Sequence, residues 1–265
     1  MMTSVAEQPN PDELPFVAPC KKLEMTAPLR WLKLGWADIR TAPKQSLTYG
    51  AILVALCYSV SLLIWFFGGL GLLMSVMSGF LFLGPILAIG LYSISCQIQA
   101  GQKPVLGYCL REGKRHMGNE LVFAVILSVI FLVWARAATM TNIFYPEETN
   151  AAWTQFIPFF AVGTLEGTVF SAIIFCFSAF SLPMIMDRKV DVVTAVVTSI
   201  NAVLRNKKVL LLWAIIIVLV VAIGFATAFL GFIVLMPLIG HGTWHAYQET
   251  IDASAWPKHK NIAES

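Results

Sequence analysis

An all-α membrane protein with six transmembrane helices, built from two or three parallel helix-hairpin repeats, is the fold class this sequence predicts. Three observations carry that reading. Charged residues make up 12% of the chain and hydrophobic residues 58%, whereas a soluble domain carries roughly 25% charged residues. The apolar residues gather in several runs near or above the ~20 residues that a helix needs to cross a bilayer. One of these runs is written twice. Gly79-Phe80, Leu83, Pro85, Gly90 and Tyr92 recur at the same spacing as Gly231-Phe232, Leu235, Pro237, Gly242 and Trp244.

The elements follow in order. Residues 1–28 hold Pro9, Pro11, Pro15 and Pro19 among Glu7, Asp12 and Glu13, without the basic-then-apolar layout of a signal peptide. They read as a disordered cytosolic tail. Over residues 29–40, Leu29, Leu32, Trp36 and Ile39 share one helical face, while Arg30, Lys33, Ala37 and Arg40 share another. An apolar face with a tryptophan opposite a basic face predicts a helix lying in the membrane interface; a plain pre-membrane linker is the alternative. Spans at 47–67 and 70–94 follow, turned at Gly68-Gly69, and Gly71, Ser75 and Gly79 make a small-residue row for helix packing on the second. Residues 97–119 are polar and basic. Spans three (119–140) and four (160–183) flank a loop with Glu147 and Glu148, and Gly163, Gly167 and Ser171 make a second packing row. Residues 190–205 form a second amphipathic helix. Val193, Val196, Val197, Ile200, Val203 and Leu204 are its apolar face, and Asp191, Thr194, Thr198, Asn201 and Arg205 its polar one. Spans five (209–229) and six (231–248) follow, then a cytosolic tail, 251–265.

Charge sets the orientation. Of the eighteen Lys and Arg, all but Arg136 fall in segments that six spans would place on one side, so both termini are expected in the cytoplasm. The repeat units, about 29–96, 104–186 and 190–248 within a membrane domain 29–250, each begin and end on that side, which makes them parallel rather than inverted.

Few residues offer chemistry. His241 and His245, four apart on a helix, share one face and are candidates for a metal pair. The zincin pattern would need a Glu at position 242, where this chain has Gly. The alternative makes His245, Trp244 and Tyr247 an aromatic belt at the cytosolic interface. Glu166 and Arg136 are ionisable residues within spans, either a structural pair or an intramembrane polar site. Pro85 and Pro237 are candidate helix kinks that could free backbone carbonyls at depth. No phosphate-binding loop, nucleophile elbow or extramembrane domain of enzyme size is present, so no catalytic residues and no cofactor are expected. The basic segments suit topology and anionic lipid, not nucleic acid.

Several stretches resemble a bacterial family of predicted integral membrane proteins, the domain of unknown function DUF2189. They are Trp31 to Asp38, Ser46 to Gly50, Leu83 to Tyr92, Asp187 to Asp191, Thr198-Ser199, Asn206, Trp213 and Pro237 to Tyr247. The resemblance covers about residues 29–250 and implies six spans in an inner membrane. It implies no activity and no site residues, although some family members carry cytochrome oxidase names. Three functions are therefore carried forward. The first is a small transporter-like or permease-like protein with its site in the cleft between repeats. The second is an accessory or structural subunit, partnered by another membrane protein or by its own copy. The third is a haem- or metal-binding redox protein using His241 and His245.

Overall fold

Nine α-helices make up the described part of the chain, residues 15–67, 87–106, 117–146 and 152–258 of this computed structural model. They are α1 (Ala27–Thr41), α2 (Pro43–Phe67), α3 (Ile89–Gln99), α4 (Met117–Thr141), α5 (Ile157–Ser178), α6 (Ser181–Asp187), α7 (Val192–Arg205), α8 (Lys207–Ala226) and α9 (Phe232–Thr250). Four helical stretches are long and apolar enough to cross a membrane: Pro43–Phe66, Leu121–Phe144, Trp153–Asp187 and Lys207–Ala226. The span expected at 70–94 lies mostly outside the described residues, as do Gly71, Ser75, Gly79, Pro85, Glu147 and Glu148. The sixth expected span is helical, as α9, but is not among the four. His241, Thr243, His245 and Gln248 lower its hydropathy, and much of its surface is covered by neighbouring helices.

Sequence signals account for the helix ends. Pro28 stands in the first turn of α1, where its missing N–H costs nothing. Asp191 caps α7 by accepting from the Thr194 N–H at 2.9 Å. The turn between α8 and α9 puts Ala228 and Phe229 at φ 50° and 69°, a left-handed conformation that costs an L residue roughly 1–2 kcal/mol. Tyr58 of α2 supports it, its hydroxyl donating to the Ala228 carbonyl at 2.5 Å and its ring packing edge-on to Phe229.

The two amphipathic helices bury only part of the apolar face their pattern suggests: Ile39 of α1 and Val196 and Val203 of α7 are buried. In α1 the buried stripe is Ala27, Trp31, Gly35 and Asp38, while Leu29 and Trp36 are exposed. In α7 it is Thr194, Ala195, Thr198, Ser199 and Ala202, while Val193 and Leu204 are exposed. Small and polar residues share the inward face with Trp31 and Ile39 in α1 and with Val192, Val196 and Val203 in α7. Small residues let helices approach closely. On α8, Leu211, Ile215, Val218 and Ile223 are exposed while Val209, Leu210, Trp213 and Val220 are buried.

Residues 15–26, expected to be part of a disordered tail, pack in order. Ala18 N–H donates to Thr198 Oγ1 at 3.1 Å, Leu23 N–H to Asn206 Oδ1 at 2.9 Å, and Lys21 N–H to the Thr250 carbonyl at 2.8 Å. The prolines that suggested disorder simply leave this stretch extended, with its remaining N–H groups free to bond side chains of α7 and the end of α9. Beyond α9, Trp256 is also buried, so the tail expected at 251–265 begins as packed structure.

Glycines set the closest helix contacts, but not those of the expected row. Within the described residues Gly163 has only the Thr141 methyl, at 3.8 Å from a notional Cβ, and Gly167 has nothing within 4 Å. No described residue covers that face of α5 at Gly167. Close approaches fall instead on Gly35, Gly50, Gly90, Gly240 and Gly242. Gly90 of α3 faces the Tyr49 ring of α2, and Gly242 of α9 faces the Trp213 ring of α8.

Gly50 explains Pro237. α9 runs through Pro237 without a break, and the missing N–H leaves the Ile233 carbonyl without its helical donor. The Gly50 backbone lies against that carbonyl, leaving no room for a Cβ. The freed carbonyl is covered by α2 and does not line an open site, which corrects the expectation for Pro237.

Candidate functional site

α9 carries His241 and His245 into the junction of α1, α2 and α3. Three side chains meet them there. Asp38 sits one turn after Gly35, the residue that lets α1 approach α9: a Cβ on Gly35 would stand 2.7 Å from the Leu238 carbonyl oxygen and 2.9 Å from the Gly242 nitrogen. Ser46 lies in the first turn of α2, just beyond the break at Ala42-Pro43. Ser95 lies on α3, which Gly240 admits: a Cβ there would stand 2.8 Å from the Leu91 Cβ.

The contacts form one line. His245 Nε2 is 2.9 Å from Asp38 Oδ2, Ser95 Oγ is 2.7 Å from that same oxygen, His241 Nδ1 is 2.7 Å from Ser95 Oγ, and His241 Nε2 is 2.9 Å from Ser46 Oγ. Asp38, Ser46, Ser95 and His241 are buried, and His245 forms the rim with 12% of its side chain exposed. One hydrogen per hydroxyl determines who donates. As a carboxylate, Asp38 only accepts, so Ser95 gives it the hydroxyl hydrogen. Ser95 then can only accept from His241, which places the imidazole hydrogen on Nδ1 and leaves Nε2 to accept from Ser46. The Leu91 carbonyl, an acceptor only, also faces the ring. All the hydrogen bonds from Ser46 onward point toward Asp38.

This geometry reassigns the histidines. Both ring nitrogens of His241 are taken by serine hydroxyls and His245 turns Nε2 to Asp38, so neither presents a free Nε2 to a shared metal. Among the described residues, no three His, Cys, Asp or Glu gather as a metal site would require. Trp244 and Tyr247 are buried, not an interfacial belt. Trp244 Nε1–H donates to Gln99 Oε1 at 3.0 Å. The Tyr247 hydroxyl donates to Asp187 Oδ2 at 2.8 Å, the oxygen that also receives Arg188 Nε–H at 2.9 Å. His116 and His259 lie outside the described residues.

Glu166 and Arg136 do not pair. Glu166 Oε2 accepts from the Thr141 hydroxyl at 2.7 Å, Oε1 is buried without a partner, and Arg136 Nη1 reaches Thr139 Oγ1 at 3.5 Å. Arg136 has turned to a threonine one turn on in α4, and Glu166 of α5 to the threonine that ends α4. At the outer end of α1, Arg30 forks onto Glu249, with Nε to Oε2 at 3.2 Å and Nη2 against Oε1, and Trp31 Nε1–H donates to Oε2 at 2.8 Å. Burial pushes the Glu249 carboxyl up, but the Arg30 and Trp31 hydrogen bonds outweigh it and hold the group below the usual range. A groove of about 400 Å³, lined by Lys44, Gln45, Thr48 and Pro104 to Leu106, opens beside the start of α2.

Asp38, Ser46 and Ser95 are the residues that sequence reasoning missed. The one available signal was Asp38 itself, the only acid in α1, one turn from a glycine. Nothing in the pattern marks Ser95.

Residues 72–187 match the model of a family described as predicted integral membrane protein (DUF2189), the family that the sequence resembles. The match covers the middle of the chain, so Ser95 lies within it and Asp38, Ser46, His241 and His245 lie outside. No curated protein and no solved structure gave a match.

Proposed function

We propose that this integral membrane protein is a small permease-like protein of a bacterial inner membrane, non-enzymatic, with six spans in parallel repeats and both termini in the cytoplasm. Its working site is the junction of α1, α2, α3 and α9. The buried line of Asp38, Ser95, His241 and Ser46 carries this reading. Buried ionisable groups are costly unless paired and gather at functional sites, and this set joins helices from both ends of the chain. The repeat reading draws support from the matched pairs Gly90 with Tyr49 and Gly242 with Trp213. In each, a ring from the seventh residue of one helix packs on the glycine of the next.

The test is solute entry into liposomes carrying the purified full chain, followed as osmotic swelling by stopped-flow light scattering. The panel is glycerol, urea, ammonium and acetate. At least one solute should enter faster than into protein-free liposomes, and Asp38→Asn should abolish the difference. No acceleration for any of the panel would count against the permease reading. The Gly167 face of α5, which no described residue covers, favours the second reading, an accessory subunit. A membrane protein co-purifying in fixed ratio, lost on Gly167→Leu, would support that one instead.

A further inference from the structure

We propose that the groove beside the start of α2 is a binding site for an anionic phospholipid, with Lys44 and Thr48 on its phosphodiester and the outer side of α2 along its acyl chains. The site is independent of the permease-like reading, since it needs no solute and no path through the protein.

Two segments wall the groove. One is the start of α2, with Lys44, Gln45 and Thr48; the other is the stretch Pro104, Val105 and Leu106. Hydrogen bonds hold the second wall in place. Gln45 Nε2–H donates to the Pro104 carbonyl at 2.9 Å, the Val105 N–H donates to Gln97 Oε1 at 3.0 Å, and the Gln102 N–H donates to the Gln97 carbonyl at 3.0 Å. Between Gln97 and Gln102 the chain turns at Gly101, whose φ of 71° suits a residue without a Cβ. Leu106 packs with Tyr49 and Ile98 against the buried Ala42, Leu91 and Ile94, which gives this wall an apolar footing. The volume, about 400 Å³, falls within the ~300–1,000 Å³ of small-ligand sites.

Charge selects the occupant. Lys44 is exposed and forms no ion pair among the described residues. From residue 39 to residue 111 the sequence holds no Asp or Glu, whereas it holds Arg40, Lys44, Lys103 and Arg111. Both walls lie in that range, so a phosphate in the groove meets a cation and no carboxylate of either wall. Depth selects a lipid over a free anion. Pro43–Phe66 is one of the stretches able to cross a membrane, so Lys44 stands at its end and Thr48 about 6 Å further in, at 1.5 Å per residue. Beyond Thr48 the same side of α2 continues as Ile52, Leu56 and Leu63, all exposed, at helical spacings of four and seven. A phospholipid has the same order: charge at the interface, ester oxygens beneath it, hydrocarbon below. Basic pockets beside spanning helices hold anionic head groups in this way. The Lys44 ammonium would donate to the phosphate oxygens and the Thr48 hydroxyl to an ester oxygen. With the termini in the cytoplasm, the lipid belongs to the cytoplasmic leaflet.

Native mass spectrometry of the full chain in detergent, titrated with phosphatidylglycerol or with phosphatidylcholine of the same acyl chains, tests the site. The wild type should hold its first phosphatidylglycerol about fivefold more tightly than phosphatidylcholine, the effect of roughly one basic side chain at a lipid surface. Lys44→Ala should erase the preference, Thr48→Val should weaken retention, and Lys44→Arg should keep both. Lys207→Ala, which removes a lysine from the start of α8, should leave them unchanged. Equal retention of the two lipids by the wild type would overturn the site, and that comparison needs no variant to fold. A loss on Lys207→Ala as large as on Lys44→Ala would also overturn it, because any lysine at a span end would then suffice. Inorganic phosphate in millimolar excess should leave the lipid bound; displacement would assign the groove to a free anion and end the lipid reading.

Discussion

Replacing Gly35 by alanine tests how α1 is held against α9. The new Cβ would sit 2.7 Å from the Leu238 carbonyl oxygen, about 0.7 Å short of the 3.4 Å at which ordinary contact begins, and 2.9 Å from the Gly242 nitrogen. Both are backbone atoms of a helix and cannot swing aside as a side chain would. α1 must therefore move out by most of that shortfall. Overpacking of this kind costs about 1–3 kcal/mol. Asp38 lies one turn further along α1. The same displacement would stretch its contacts with Ser95 and His245, now 2.7 and 2.9 Å, to the edge of hydrogen-bonding range. Weakening them adds about 1 kcal/mol, so the total loss should be about 2–4 kcal/mol. The matching control is Gly167→Ala. No described residue lies within 4 Å of its Cβ position, and alanine is the better helix former by up to about 1 kcal/mol. Equilibrium unfolding in mixed micelles, read through tryptophan fluorescence, measures both; Trp31 and Trp213, edge-on at 5.4 Å, report on the α1 contact. The reasoning is refuted if Gly35→Ala unfolds within about 0.5 kcal/mol of wild type, or if Gly167→Ala is the more damaging change.

Two further outcomes follow from residues outside the spans. The Glu249 carboxyl is held below its ordinary value in the fold, so its contribution is present above the unfolded value, near 4.5, and fades as pH falls through the folded one. The stability difference between wild type and Glu249→Gln should thus shrink on acidification below about pH 4.5, and should not exceed about 1 kcal/mol at neutral pH because Arg30 is exposed. A difference that grows with acid would contradict the assignment. Asp191→Ala removes the cap of α7 and should cost about 1 kcal/mol. Burial pushes the Asp191 carboxyl up, yet hydrogen bonds from Thr194 outweigh this and hold it low, so that loss too should vanish in acid. Unfolding curves of both proteins across pH would show it.

Length and hydropathy alone determined a helical membrane protein. The apolar runs at 47–67, 119–140, 160–183 and 209–229 overlap the four stretches able to cross a bilayer, because helix length and apolar composition are local properties of the chain. The helix over 231–248 and the cap of α7 were equally local. Tertiary structure decided the rest. Which face of α1 and α7 turns inward depends on the helices that surround them. Which glycines matter depends on a second backbone: Gly167 meets no described residue, while Gly35 and Gly50 meet α9 across most of the sequence. The histidine pair was visible at spacing four, but its partners stand 146 to 207 positions away. No periodicity spans such distances. Only the close approach of α1, α2 and α3 to α9 turns an aspartate, two serines and a histidine into one line.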